Sequence, residues 1–132
     1  MAWDVVASKE EIALLMEAGI AYRDGEKFEE AREVFRGLRA LIPMSEVPEV
    51  ALGTVSFQAR DFEGALMHYH EALKLNPRSA YAYAHMGEAE LFRKDKQAAR
   101  SYLKKALELD PKGEFGKMAR SLTSLADQIS YK

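Results

Sequence analysis

The residues best suited to chemistry here are three histidines, His68, His70 and His85, and the acidic pairs Glu10-Glu11 and Glu29-Glu30. Two positions apart on a helix means about 200° around its axis, so His68 and His70 cannot ligate one metal ion. His85 stands alone. The acidic pairs fall where helices begin, and carboxylates there complement the helix dipole rather than form an acid/base pair. There is no cysteine, which removes thiol catalysis, disulfides and cysteine-ligated metals. No glycine-rich phosphate loop or nucleophile motif occurs. The expectation is a protein that is not an enzyme and uses no metal and no cofactor, acting through the shape and chemistry of its surface.

Composition narrows the class further. Of 132 residues, 48% are hydrophobic and 30% charged, the balance of an ordinary globular chain. No window approaches 18 uninterrupted apolar residues, so no membrane insertion is expected. The opening Met-Ala-Trp-Asp has no basic patch before an apolar run, so a cytoplasmic location is expected. The net charge of −2 hides an asymmetry. Residues 1–66 hold 13 acidic and 7 basic side chains, and residues 67–132 hold 8 acidic and 12 basic. Arg93, Lys94, Lys96, Arg100, Lys104 and Lys105 form a basic stretch with few interleaved aromatics, which reads as a solvated helix face and not as a nucleic-acid interface.

The elements that must carry any binding surface follow from a repeat. Pro43, Pro77 and Pro111 are spaced by 34 residues, and in the same register fall Gly19, Gly53 and Gly87, then Ala31, Ala65 and Ala99. A large residue recurs four places after each alanine (Phe35, Tyr69, Leu103), followed by Leu38, Ala72 and Ala106. The glycine and alanine let two helices of a pair approach closely, the large residue is expected to fill the gap between pairs, and the proline ends the unit.

Helix signals agree with this period. Ser8 and Glu11 form a capping box that starts a helix over about Lys9–Arg23, with Asp24-Gly25 as the turn. Apolar spacing predicts further helices over Lys27–Leu41, Glu46–Ala59, Phe62–Leu75, Ser79–Phe92 and Lys96–Leu109. A seventh, over Glu114–Ile129, carries the stripe Phe115, Met118, Leu122, Leu125 and Ile129 and faces water with Lys117, Arg120, Ser121, Ser124 and Asp127, as a terminal capping helix must.

These landmarks resemble the tetratricopeptide repeat pattern over residues 12–113. Gly19-x-x-Tyr22…Phe28…Ala31…Phe35…Pro43 and Tyr83…Met86-Gly87…Ala99…Leu103…Ala106…Pro111 follow the family's order. Ser56 and Glu90 stand where the family has an aromatic, and Lys96 stands where Phe28 and Phe62 stand in the other repeats. The resemblance implies an all-α fold: three helix-turn-helix repeats (12–45, 46–79, 80–113) stacked as a short right-handed superhelix, a short N-terminal segment over 1–11, and a capping helix over 114–132. The stretches Gly25–Leu38 and Asn76–Phe92 are also similar to the TPR chaperones of bacterial type III secretion systems, although the long N-terminal arm of that class has no counterpart in the roughly 11 residues before the first repeat.

That resemblance implies a protein-binding module, specifically a small chaperone that cradles an extended or helical apolar peptide segment. The alternative is a non-catalytic adaptor or scaffold subunit of a stable complex. In the family, ligand contacts concentrate at the second, fifth, ninth and twelfth positions of each repeat. Carried over, these give Ala13, Met16, Ile20 and Arg23, then Val47, Val50, Thr54 and Phe57, then Tyr81, Ala84, Glu88 and Leu91, with His85 one turn from Tyr81. This lining is mainly apolar and lacks the Lys and Asn set that clamps a C-terminal carboxylate. Trp3, Val5 and Val6 form an apolar N-terminal cluster suited to packing on the first helix or to self-association as a homodimer.

Overall fold

The computed structural model describes residues 7–131, and its described residues are all helix and connecting turns. The helices are α1 (Lys9–Asp24), α2 (Phe28–Leu41), α3 (Val47–Gln58), α4 (Phe62–Leu75), α5 (Ala80–Phe92), α6 (Lys96–Leu109) and α7 (Glu114–Gln128). Each agrees with its expected span to within one residue at either end. The Ser8–Glu11 capping box forms, with the Glu11 amide donating to Ser8 Oγ at 3.1 Å and the Ser8 amide donating to Glu11 Oε1 at 3.1 Å. Asp61, Ser79 and Asp95 cap α4, α5 and α6 through their side chains.

The left-handed residue of the first turn is not its glycine, since Gly25 has φ −84°. That role falls to Glu26, Arg60 and Lys94, at φ 62°, 69° and 69°, one per repeat and 34 residues apart. After each corner an amide reaches back five residues, Lys27 to the Tyr22 carbonyl, Asp61 to Ser56 and Asp95 to Glu90, at 2.8–2.9 Å. This closes the helix end in the way a glycine usually does, here with a charged side chain in its place.

The glycine and the large residue meet directly. A Cβ on Gly19 would lie 2.3 Å from Phe35 Cε1, one on Gly53 2.2 Å from Tyr69 Cε1, and one on Gly87 2.4 Å from Leu103 Cδ2. The large residue therefore lies on the glycine of its own pair rather than only filling the space between pairs. Phe35 at the same time shares one buried cluster with Ala51, Leu52 and Val55 of the following helix, so a single ring ties two repeats together.

The departures from the repeat pattern acquire jobs in three dimensions. Glu90 is buried but paired with Arg93 at 3.0 Å, and Arg93 also reaches Glu63 at 3.5 Å. Lys96 donates to the Ile129 carbonyl and stands 5.8 Å from the Tyr131 ring, so it fastens the C-terminal tail. Tyr131 donates its hydroxyl to the Leu91 carbonyl at 2.5 Å. Helix α7 seats on small residues, Gly116, Ala119 and Ala126, flanked by Phe115, Met118 and Leu122. Leu125, expected within the buried stripe, is instead 44% exposed, because close approach is made through the neighbouring small-residue face.

Candidate functional site

Alternate helices, α1, α3, α5 and α7, supply the inner face of the stack, and side chains from each converge there. Arg23, in the last turn of α1, crosses to α3 and donates to Thr54 Oγ1 at 2.9 Å while its Nε holds Asp24 at 3.1 Å. Thr54 in turn donates to the Ala51 carbonyl at 2.7 Å. On α5, Tyr81 meets His85 edge-on with ring centroids 5.2 Å apart, and stacks on Phe115 of α7 at 4.9 Å. His85 Nδ1 lies 3.2 Å from Glu88 Oε1, one turn further along α5.

Beneath these groups is Tyr69 of α4. Its ring presses on Gly53 and lies 5.9 Å from His85. The residue is fully buried, and its hydroxyl has no hydrogen-bond partner among the described residues. Burial pushes this phenol well above its ordinary pKa, and the nearby Glu88 and Tyr81 push it the same way while Arg23 opposes them. Tyr69 at neutral pH is therefore a neutral donor set among Arg23, Tyr81 and Glu88. A buried hydroxyl without a partner costs free energy.

The expected lining divides in two. Met16, Ile20, Arg23, Val47, Phe57, Tyr81, His85 and Glu88 are half-buried and offer surface. Val50 and Ala84 are fully buried, and Thr54 and Leu91 nearly so. Val50 belongs to the central core cluster with Tyr69 and Met86, Ala84 packs with Leu103 and Ala119, and Leu91 lies with Ala126 beneath the tail. These four are walls behind the groove, because at their positions the helices approach too closely for the side chains to reach solvent. Phe57 is turned into an aromatic cluster, 5.3 Å from Phe62 and 5.0 Å from Phe92. Trp3, Val5 and Val6 lie outside the described residues.

Sequence reasoning did not single out the Tyr69 hydroxyl, since at its repeat position the residue reads as core, and the structure places it there. It also missed a polar cleft of about 400 Å³ lined in part by Arg39, Glu49, Ser56 and His68. Glu49 is buried there and accepts from Arg39 at 2.9 Å and pairs with His68 at 3.0 Å. Burial alone would raise the Glu49 pKa; the hydrogen bonds from His68 and Arg39, with their charges, outweigh it and hold the carboxyl below its ordinary value. A depressed folded-state pKa contributes stability above the unfolded-state value of about 4.5, lost as pH falls through the folded value. Urea melts between pH 3 and 7 are expected to show this acid loss, and Glu49→Gln to flatten it.

No three His, Cys, Asp or Glu side chains cluster as a metal site among the described residues, and no described helix is long and apolar enough to cross a membrane. Residues 50–114 match a family model described as Tetratricopeptide repeat. The chain belongs to the tetratricopeptide repeat (TPR) family. A comparison with curated proteins returned no match. Among solved structures, this TPR protein is similar to the Yersinia enterocolitica type III secretion chaperone SycD in complex with a peptide of the translocator YopD, at 21% identity and TM-score 0.73 over 92% of this chain and 95% of that one. It is similar to the first TPR of Spaghetti (RPAP3) bound to the HSP90 peptide SRMEEVD, at 21% identity and TM-score 0.73 over 94% and 96%. It also resembles the TPR2B domain of yeast Sti1 in a pHsp70 complex, at 17% identity and TM-score 0.76 over 89% and 96%. At these identities the likeness is one of fold. The TPR scaffold is a protein-interaction surface, and the groove chemistry of this chain is its own.

Proposed function

We propose that this protein is a small cytoplasmic chaperone that holds an apolar peptide segment of a partner in the inner groove, in the manner of the type III secretion class. The observation that carries the reading is the composition of that groove. Met16, Ile20, Val47 and Tyr81 supply apolar contact, and Arg23 with Glu88 supplies a donor and an acceptor for a peptide backbone. Arg23 is the one cation among the groove positions and is already engaged by Asp24 and Thr54. This favours an extended or helical segment with apolar anchors over a C-terminal carboxylate. The SycD structure, a chaperone with a translocator peptide, supports such a use of the same fold.

The test is co-purification from the native cell, with mass spectrometry of what stays bound. The Met16→Ala, Tyr81→Ala double variant is expected to release the partner while the protein stays folded by circular dichroism. If the variant retains every partner, the inner groove is not the binding surface. A partner that stays in fixed stoichiometry and never turns over would replace the chaperone reading with that of an adaptor subunit.

A further inference from the structure

Where α3, α5 and α7 end, an apolar cleft of about 330 Å³ opens, with Leu91, Phe92, Leu125 and Ile129 among its lining. Phe92 and Leu125 are 47% and 44% exposed, two large apolar groups left uncovered side by side in one cleft. Arg60 and Lys94 also line it. Both occupy the left-handed corners, where glycine would sit without strain and a long side chain does not. The Arg60 guanidinium is held over the Phe62 and Phe92 rings at 5.7 and 6.0 Å. Neither cation has a carboxylate within ion-pair distance among the described residues. Two strained corners thus place two free positive charges beside an exposed aromatic surface.

The chain carries a segment of matching chemistry. Trp3-Asp4-Val5-Val6 sets a carboxylate among three apolar side chains, and Trp3 is the single tryptophan. We propose that this segment of one copy docks in the cleft of a second copy, with Trp3 against Phe92 and Leu125 and Asp4 facing Arg60 and Lys94. Reach requires a second copy. Six residue steps separate Trp3 from Lys9, so a fully extended chain carries it at most about 21 Å from the start of α1. The helix pairs are antiparallel, so α3, α5 and α7 run in the same sense as α1, and the cleft lies at their far ends. Along the 16 residues of α1 that is about 24 Å, before any sideways offset across the stack. The charge balance favours the same pairing: residues 1–66 carry −6 and residues 67–132 carry +4, so the acidic half of one copy approaches the basic half of another.

The full-length protein tests this by light scattering and Trp3 fluorescence across a dilution series. The expected result is a mass that rises above the monomer with concentration while Trp3 emission moves to shorter wavelength in parallel. Arg60→Gly with Lys94→Gly is expected to weaken association at least about tenfold and to leave the melting temperature unchanged or higher, since glycine suits both corners. Asp4→Lys, a change outside the helices described, is expected to weaken it similarly, and placing Arg60→Glu and Lys94→Glu in the Asp4→Lys chain to restore it. A monomer at every concentration overturns the proposal, whether Trp3 is then exposed or buried against its own first helix. So does association that neither the corner variants nor Asp4→Lys disturbs.

Discussion

Phe35→Ala is expected to lower the unfolding free energy by about 3–5 kcal/mol, the cost of emptying a fully buried aromatic site. At roughly 4 °C per kcal/mol for a domain of this size, that is a fall in Tm of roughly 10–20 °C. The effect should be this large because Phe35 belongs to two interfaces at once, lying on Gly19 inside the first pair and in one cluster with Leu52 and Val55 of the second. A double-mutant cycle sharpens the prediction. Gly19→Ala alone drives a Cβ into the Phe35 ring and should cost about 1–3 kcal/mol through overpacking. In the Phe35→Ala background the added methyl enters space the ring has left, so the same change should be nearly neutral. Equal costs in both backgrounds, measured by urea denaturation, would show that glycine and ring do not form one unit.

The second large effect separates the ring of Tyr69 from its hydroxyl. Tyr69→Ala should cost about 3–5 kcal/mol, because the ring is fully buried against Gly53 at the centre of the stack. Tyr69→Phe keeps the ring and removes a hydroxyl that is buried without a partner, so stability should hold or rise slightly. Binding should be unchanged, because a hydroxyl with no exposed surface stands behind the groove, out of a peptide's reach. A Tyr69→Phe protein that melts as the parent does yet binds its partner about tenfold more weakly would show instead that the groove opens down to that hydroxyl.

The polar cluster around Glu49 and the aromatic cluster of Phe57, Phe62 and Phe92 were not legible from the chain, for a common reason. Glu49, Arg39 and His68 come from three different helices, and so do the three phenylalanines. Nothing in local spacing sets a residue of α2 against one of α3 and another of α4; only the angle and separation at which neighbouring helices pack does so.

The candidate groove lies between these extremes. Helical periodicity places Met16 and Ile20, or Tyr81 and Glu88, on one side of their own helices, and that much held. It could not say how far each side chain stands from solvent. Val50 and Ala84 share repeat positions with Met16, yet both are fully buried, Val50 against residues of α4 and α5 and Ala84 against residues of α6 and α7. Tyr69 and Phe35 share a repeat position too, and only the packing places the Tyr69 hydroxyl, fully buried, near Arg23 and Glu88.

By itself the sequence determined the seven helices and their ends, because capping residues, helix-stopping prolines and a 34-residue period are local signals that act within a few residues of where they stand. What the tertiary structure alone decided was the burial of Val50, Ala84 and Leu91, the seating of α7 on Gly116, Ala119 and Ala126, and the tethering of the tail by Lys96. It alone placed Arg60 and Lys94 beside an open apolar cleft. Each of these depends on distances between segments remote in the chain, which are fixed only when the repeats stack.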